Sequence, residues 1–111
     1  MTSSFKRCGN DPRAVSIARY PMFFKGRRYC ALAPSVALFR AWKTGAVSNE
    51  DYTERFYRET LSGLDPALVL KDLGEDAILL CWCPPGEFCH RRLVARWLEE
   101  ALGISVQEVP V

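Results

Sequence analysis

The chain has 111 residues, 49% hydrophobic and 25% charged, with a formal net charge of +2. A chain of this size buries roughly two thirds of its unfolded surface, which suits one domain over residues 1–111 with a self-sufficient core. No apolar run approaches the ~20 residues of a membrane span, and the opening MTSSFKRCGNDPR has no apolar signal-peptide core.

Five cysteines make an odd number, so reduced thiols in a cytoplasmic protein are expected rather than a disulfide framework. The small net charge hides a division. Residues 1–43 hold nine Lys or Arg against one acid, Asp11, whereas residues 44–111 hold six basic and twelve acidic residues. That asymmetry permits a basic face for phosphates or nucleic acid, unless folding sets one half against the other.

Residues 1–13 read as a flexible N-terminal tail. Ala14 to Tyr20 alternates and favours a strand, which Pro21 stops. The following MFFKGRRYC mixes rings and cations around Gly26, a loop. Pro34-Ser35 opens a helix with Leu38, Phe39 and Trp42 at helical spacing, ended by Gly45. Ser48 stands three residues before Asp51, a near variant of the capping box. It starts a second helix with Tyr52, Phe56 and Leu61 as its buried stripe and Gly63 as its stop. Asp65-Pro66 is an N-cap followed by proline at the first helical position, and a short helix runs to about Gly74. Ala77 to Cys83 is the most apolar run, as burial on both faces of a strand requires, and Pro84-Pro85-Gly86 breaks it. Arg91 to Leu102 is an amphipathic helix capped by Gly103, and Ile104 to Val109 makes a last strand. Strands separated by helices predict an α/β fold: a small Rossmann-like layering with a mostly parallel sheet of about three strands. An exposed edge of so small a sheet could pair in a homodimer.

Chemistry concentrates in CWCPPGEFCHRR, residues 81–92, with three cysteines, the one histidine and two arginines. The stretch passes from a central strand into a helix, and ligands of parallel sheets bind beyond the carboxyl ends of strands. The helix start favours an anion and a thiolate. The amphipathic stripe puts His90 and Arg91 at the rim of the sheet and Arg92 on the solvated flank. Cys89 is then a candidate nucleophile, His90 its proton carrier and Arg91 the partner of a phosphate or carboxylate. Zinc is a rival, because Cys81, Cys83, Cys89 and His90 supply four ligands, although their spacing is not that of paired knuckles. Cys81 and Cys83 also read as small core residues. Arg19, at the end of the first strand, is a second candidate anion clamp. Phe23, Phe24, Lys25, Arg27, Arg28 and Tyr29 interleave rings with cations as single-strand nucleic-acid grooves do. Cys8 and Cys30 have no evident role.

ILLCWCPPGEFCHRRLVARWLEE closely resembles the C-terminal signature of the domain-of-unknown-function 488 family. SIARYP, LAPSVALFRAWKTGAVSNEDYTERFYRETL and GLDP are similar to its middle section, so the resemblance spans roughly residues 14–102. Its most specific element is the Cys-His-Arg triplet, here Cys89-His90-Arg91. The resemblance implies a Rossmann-like fold and a site at the triplet, and it names no reaction. Family members often look like Cys-aromatic-Glu where this chain reads Cys81-Trp82-Cys83. A shared carboxylate would therefore have to be supplied by Glu87.

Three readings result. The first is an enzyme acting on a phosphate-bearing small molecule, nucleotide or nucleic acid. The second is a non-catalytic module that binds nucleic acid or protein through its basic N-terminal third, and the last is a zinc-stabilised scaffold. No cofactor is specified by these residues, and no membrane partner.

Overall fold

The computed structural model describes residues 1–83 and 87–110; Pro84-Pro85-Gly86, expected as the break after the apolar strand, lies outside them. Four strands form one all-parallel sheet: β1 (Thr2–Ser4), β2 (Ala14–Ser16), β3 (Arg27–Arg28) and β4 (Ile78–Cys81), in the order β1-β4-β2-β3. Five helices accompany them: α1 (Phe5–Cys8), α2 (Val36–Lys43), α3 (Asn49–Glu59), α4 (Pro66–Leu73) and α5 (His90–Leu102). The chain is thus an α/β domain of the expected layered, Rossmann-like kind. Among the described residues no helix is long and apolar enough to cross a membrane.

The helices stand where local chemistry puts them. Ser35 and Ser48 each accept from the backbone N–H three residues on, at 3.1 Å, and Asp65 accepts from Ala67 N ahead of Pro66 at the first helical position. Gly103 ends α5 in the left-handed conformation, φ 66°, which glycine adopts without a Cβ penalty. Arg27 donates to the carbonyls of Leu73 and Asp72, so a cation from β3 satisfies the open carboxyl end of α4.

The strands differ more from expectation. Residues 1–13, read as a tail, carry β1 and α1. Thr2, Ser3 and Ser4 are buried and pair in register with Leu79, Leu80 and Cys81. They were hard to read because a parallel pair is made by a distant segment, and three small polar residues carry no periodicity. The expected strand Ile104–Val109 is a single parallel bridge, Thr2 with Glu108. Its other groups are drawn elsewhere, Val106 N to Glu99 and Val106 O to Arg92. β2 is shorter than Ala14–Tyr20, and α3 stops at Glu59, before a 3₁₀ turn over Leu61–Gly63.

Val15, Ile17 and Leu79 face the main core with Leu38, Tyr52, Phe56, Val69, Val94 and Leu98 from the helices. Ala14, Ile78 and Leu80 face a smaller cluster closed by Phe5 and Phe24.

Candidate functional site

The carboxyl ends of β4 and β2 meet the start of α5, and the Cys-His-Arg triplet sits at that junction. Cys89 is the N-cap residue of α5, with His90 and Arg91 in the first turn. All three are buried; Arg91 has no exposed surface at all. An aromatic layer of Trp42, Tyr52 and Phe88 backs the site, and Phe56 meets the His90 ring edge-on at 5.5 Å.

His90 has a defined tautomer. Its Nε2 lies 2.7 Å from the Ile17 carbonyl oxygen, an acceptor, so Nε2 carries the proton and donates. Nδ1 is then the bare nitrogen, and it faces Cys89 Sγ at 3.8 Å. Burial drives the His90 pKa down to about 4, against the supporting bond to Ile17, with Arg91 lowering it further. The imidazole is neutral at pH 7.

The sulfurs of Cys81 and Cys89 are brought into contact, with their Cα atoms 7.6 Å apart. β4 and α5 bring the two together, across eight positions of sequence that give no sign of it. Cys83 remains free, and its sulfur and those of Cys81 and Cys89 all lie within 4.8 Å of one another. Burial pushes the Cys83 thiol up, an effect that Arg91 and Lys43 oppose and Glu87 reinforces. Of the four ligands in the zinc reading, the three sulfurs therefore converge. His90 stands apart, one ring nitrogen committed to Ile17.

Arg91 departs from its expected place at the rim. Its Nε and Nη2 donate to the two oxygens of Glu108, at 3.1 and 2.7 Å, and Nη1 donates to Cys83 O at 2.6 Å and Cys81 Sγ at 3.0 Å. One buried guanidinium thus ties the end of β4 to the C-terminal segment, and it is not an open anion clamp. The stripe argument located the arginine on the inward side but could not show Glu108 waiting there. Burial alone would raise the Glu108 pKa; the bonds from Arg91 and Thr2 outweigh it and hold it below the ordinary range. Arg92, expected in solvent, is half-buried and donates to Thr2 Oγ1 at 2.7 Å and to Val106 O.

The remaining candidates lie around this centre. Arg19 is half-buried, its Nε donating to Pro34 O at 2.8 Å. Glu87 is exposed. Two residues escaped the sequence reading: Glu108, and Ser4, which pairs in register with Cys81 and whose buried hydroxyl has no partner among the described residues. Only the parallel pairing of β1 with β4 could have revealed Ser4.

Residues 7–102 match the family model described as the active DUF488-N3 subclade. The chain belongs to the DUF488 family. No curated protein and no solved structure matches it. The matched stretch contains the whole Cys-His-Arg triplet of this DUF488 domain but neither Ser4 nor Glu108. The groups that finish the site's packing thus come from beyond that stretch at both ends.

Proposed function

We propose that this DUF488 domain is an enzyme whose reactive atom is Cys89 Sγ and whose proton carrier is His90, acting on a phosphate-bearing small molecule, nucleotide or nucleic acid. The observation that carries this reading is the His90 tautomer: Nε2–H is tied to Ile17 O at 2.7 Å, and the bare Nδ1 faces Cys89 Sγ. A neutral, oriented imidazole beside a thiol at a helix start is the arrangement thiol nucleophiles need.

The scheme starts from the reduced thiols; a Cys81–Cys89 bond formed by oxidation would be reopened by two electrons and two protons from a thiol reductant. The Cys89 proton then moves to Nδ1 as sulfur attacks the electrophilic atom, and the leaving group departs with its electron pair and takes that proton from His90. So weak a base as His90 does not hold the proton beforehand, so transfer and attack are coupled.

An anionic substrate is supported by the company of the thiol. The first N–H groups of α5 carry the positive end of a thirteen-residue helix. Arg19 keeps its terminal nitrogens beyond the bond to Pro34, and Lys43 lies near enough to Cys83 to affect its thiol. Glu87, exposed beside Cys83, would meet donor groups of the substrate. Arg91 acts as a positioning residue, holding Cys81 and the end of β4 in place.

Iodoacetamide labelling read by mass spectrometry tests the scheme. After reduction Cys89 should react at pH 7 faster than a free thiol of ordinary pKa, about 8.5. Cys89→Ser should abolish that label, and His90→Gln should slow it at least about tenfold, the lower end for a general base being about 10². Labelling at the ordinary rate, indifferent to His90, would sink the nucleophile.

A second reading, a zinc-stabilised scaffold, is favoured by one fact: three sulfurs within 4.8 Å of one another, the distance range of ligands around a single soft ion. A native mass spectrum carrying one zinc per chain, with unfolding on chelation, would replace the nucleophile with a metal site.

A further inference from the structure

The sheet face turned away from α2, α3 and α5 carries a groove of about 520 Å³, lined by residues that include Phe5, Lys6, Phe23, Phe24, Lys25 and Trp82. Its floor is a run of rings. Trp82 lies on Phe5 at 4.3 Å between centroids, and Phe5 meets Phe24 edge-on at 5.1 Å. Phe24 is buried against the backbone of Gly26, where a Cβ would come within 2.5 Å of its ring. The indole N–H of Trp82 donates to Tyr20 O at 2.9 Å, which fixes the ring while leaving it 48% exposed.

The rim is cationic, and among the described residues the lining has no carboxylate. Residues 5–28 hold seven Lys or Arg and one acid, Asp11, and Asp11 is already bonded to Arg13. Phe23 is the odd member. It is 94% exposed, and its φ of 65° is a conformation that side chains disfavour. The turn from Pro21 to Phe24, closed by Phe24 N donating to Pro21 O, holds the ring out over the groove mouth instead of folding it under.

We infer that this groove binds single-stranded nucleic acid, with bases stacked on Phe23 and Trp82 and the backbone phosphates against Lys6 and Lys25. Aromatic platforms between cations bind single strands of any sequence, because every base offers a π-face and every linkage a charge. A second copy of the chain is a poor occupant, since a two-fold contact would set this cationic face against itself. The inference goes beyond the thiol reading and does not depend on it. Trp82 stands between Cys81 and Cys83, so a strand in the groove would also pass close to the sulfur cluster.

Fluorescence anisotropy of labelled oligothymidylate and oligouridylate, titrated with the full chain at several salt concentrations, tests the inference. Binding should weaken steeply with salt. Phe23→Gly should lower affinity at least about tenfold, from lost stacking of about 1–3 kcal/mol per base, without lowering the Tm, because it also removes the disfavoured backbone conformation. Lys6→Glu with Lys25→Glu should do the same, and Arg96→Ala, which removes an exposed cation of α5 outside the groove, should leave affinity unchanged. Absence of binding at low salt would overturn the inference. So would affinity indifferent to Phe23, equal affinity for duplex, or self-association that Phe23→Gly abolishes. A reduced protein whose Cys89 shows ordinary reactivity but which still binds the oligonucleotides would fail the thiol reading alone.

Discussion

On one face of the sheet, Val15, Ile17 and Leu79 press against side chains from α2, α3, α4 and α5. On the other, Ala14, Ile78 and Leu80 meet little more than Phe5 and Phe24. Parallel sheets usually have helices on both faces, because their crossovers run there. Here the four longer helices share one side, and the second is closed by a four-residue helix and a loop. The difference assigns two kinds of work to one small domain. The thick face supplies rigidity and holds the buried triplet. The thin face supplies exposed rings and cations, where surface is cheap to present and easy to reach.

The contrast can be broken first in the core. Phe56→Ala removes a fully buried ring at the centre of the thick face and should cost about 4 kcal/mol in denaturant unfolding. Phe24→Ala should cost about 2 kcal/mol, below the usual range of about 3–5, because solvent reaches the space it leaves. Equal losses would mean that the thin face is as tightly built as the thick one.

Arg91→Leu tests the link between the triplet and the C-terminal segment. It removes the guanidinium from Glu108 and leaves the Thr2 hydroxyl, and because that carboxylate is partly exposed the loss should fall at the lower end for a broken buried pair, about 3 kcal/mol. The same substitution should free the end of β4 and raise exchange of the Cys81 and Val106 amides. A loss below 1 kcal/mol, about the value of a surface pair, would show that the pair holds nothing together.

Acid sharpens the comparison, because the buried titrating groups of the site lie on the thick side. His90 has a folded pKa near 4 against 6.5 for a free imidazole. The unfolded chain therefore binds more protons between those values. Stability is complete above pH 6.5 and is lost as pH falls toward 4, by up to about 3 kcal/mol. Glu108, also depressed, contributes above its ordinary 4.5 and loses its contribution as pH falls through its lower folded value. In His90→Gln the upper limb should vanish and the lower one remain, read as the urea midpoint against pH. The smallest effect belongs to Arg96→Ala, which removes an exposed pair with Glu100 and should change stability by a few tenths of a kcal/mol, about the value of an i,i+4 pair.

The four longer helices, α2 to α5, were legible in the sequence because their causes are local; α1, at Phe5–Cys8 in the expected tail, was not. Ser35, Ser48, Asp65-Pro66 and Gly103 start or stop helices through bonds to groups a few residues away, and Tyr52 with Phe56 shows its stripe within one turn. The same locality placed Cys89, His90 and Arg91 together at a helix start and drew attention to the rings and cations near Gly26. The tertiary structure decided the rest. β1 exists because Thr2–Ser4 finds β4 77 positions away, and no local pattern announces a parallel partner. Cys81 meets Cys89, Arg91 meets Glu108, and Ser4 meets Cys81 for that same reason. Whether an arginine clamps an anion or anchors a strand depends on which carboxylate the fold brings to it, and spacing along one helix cannot supply that.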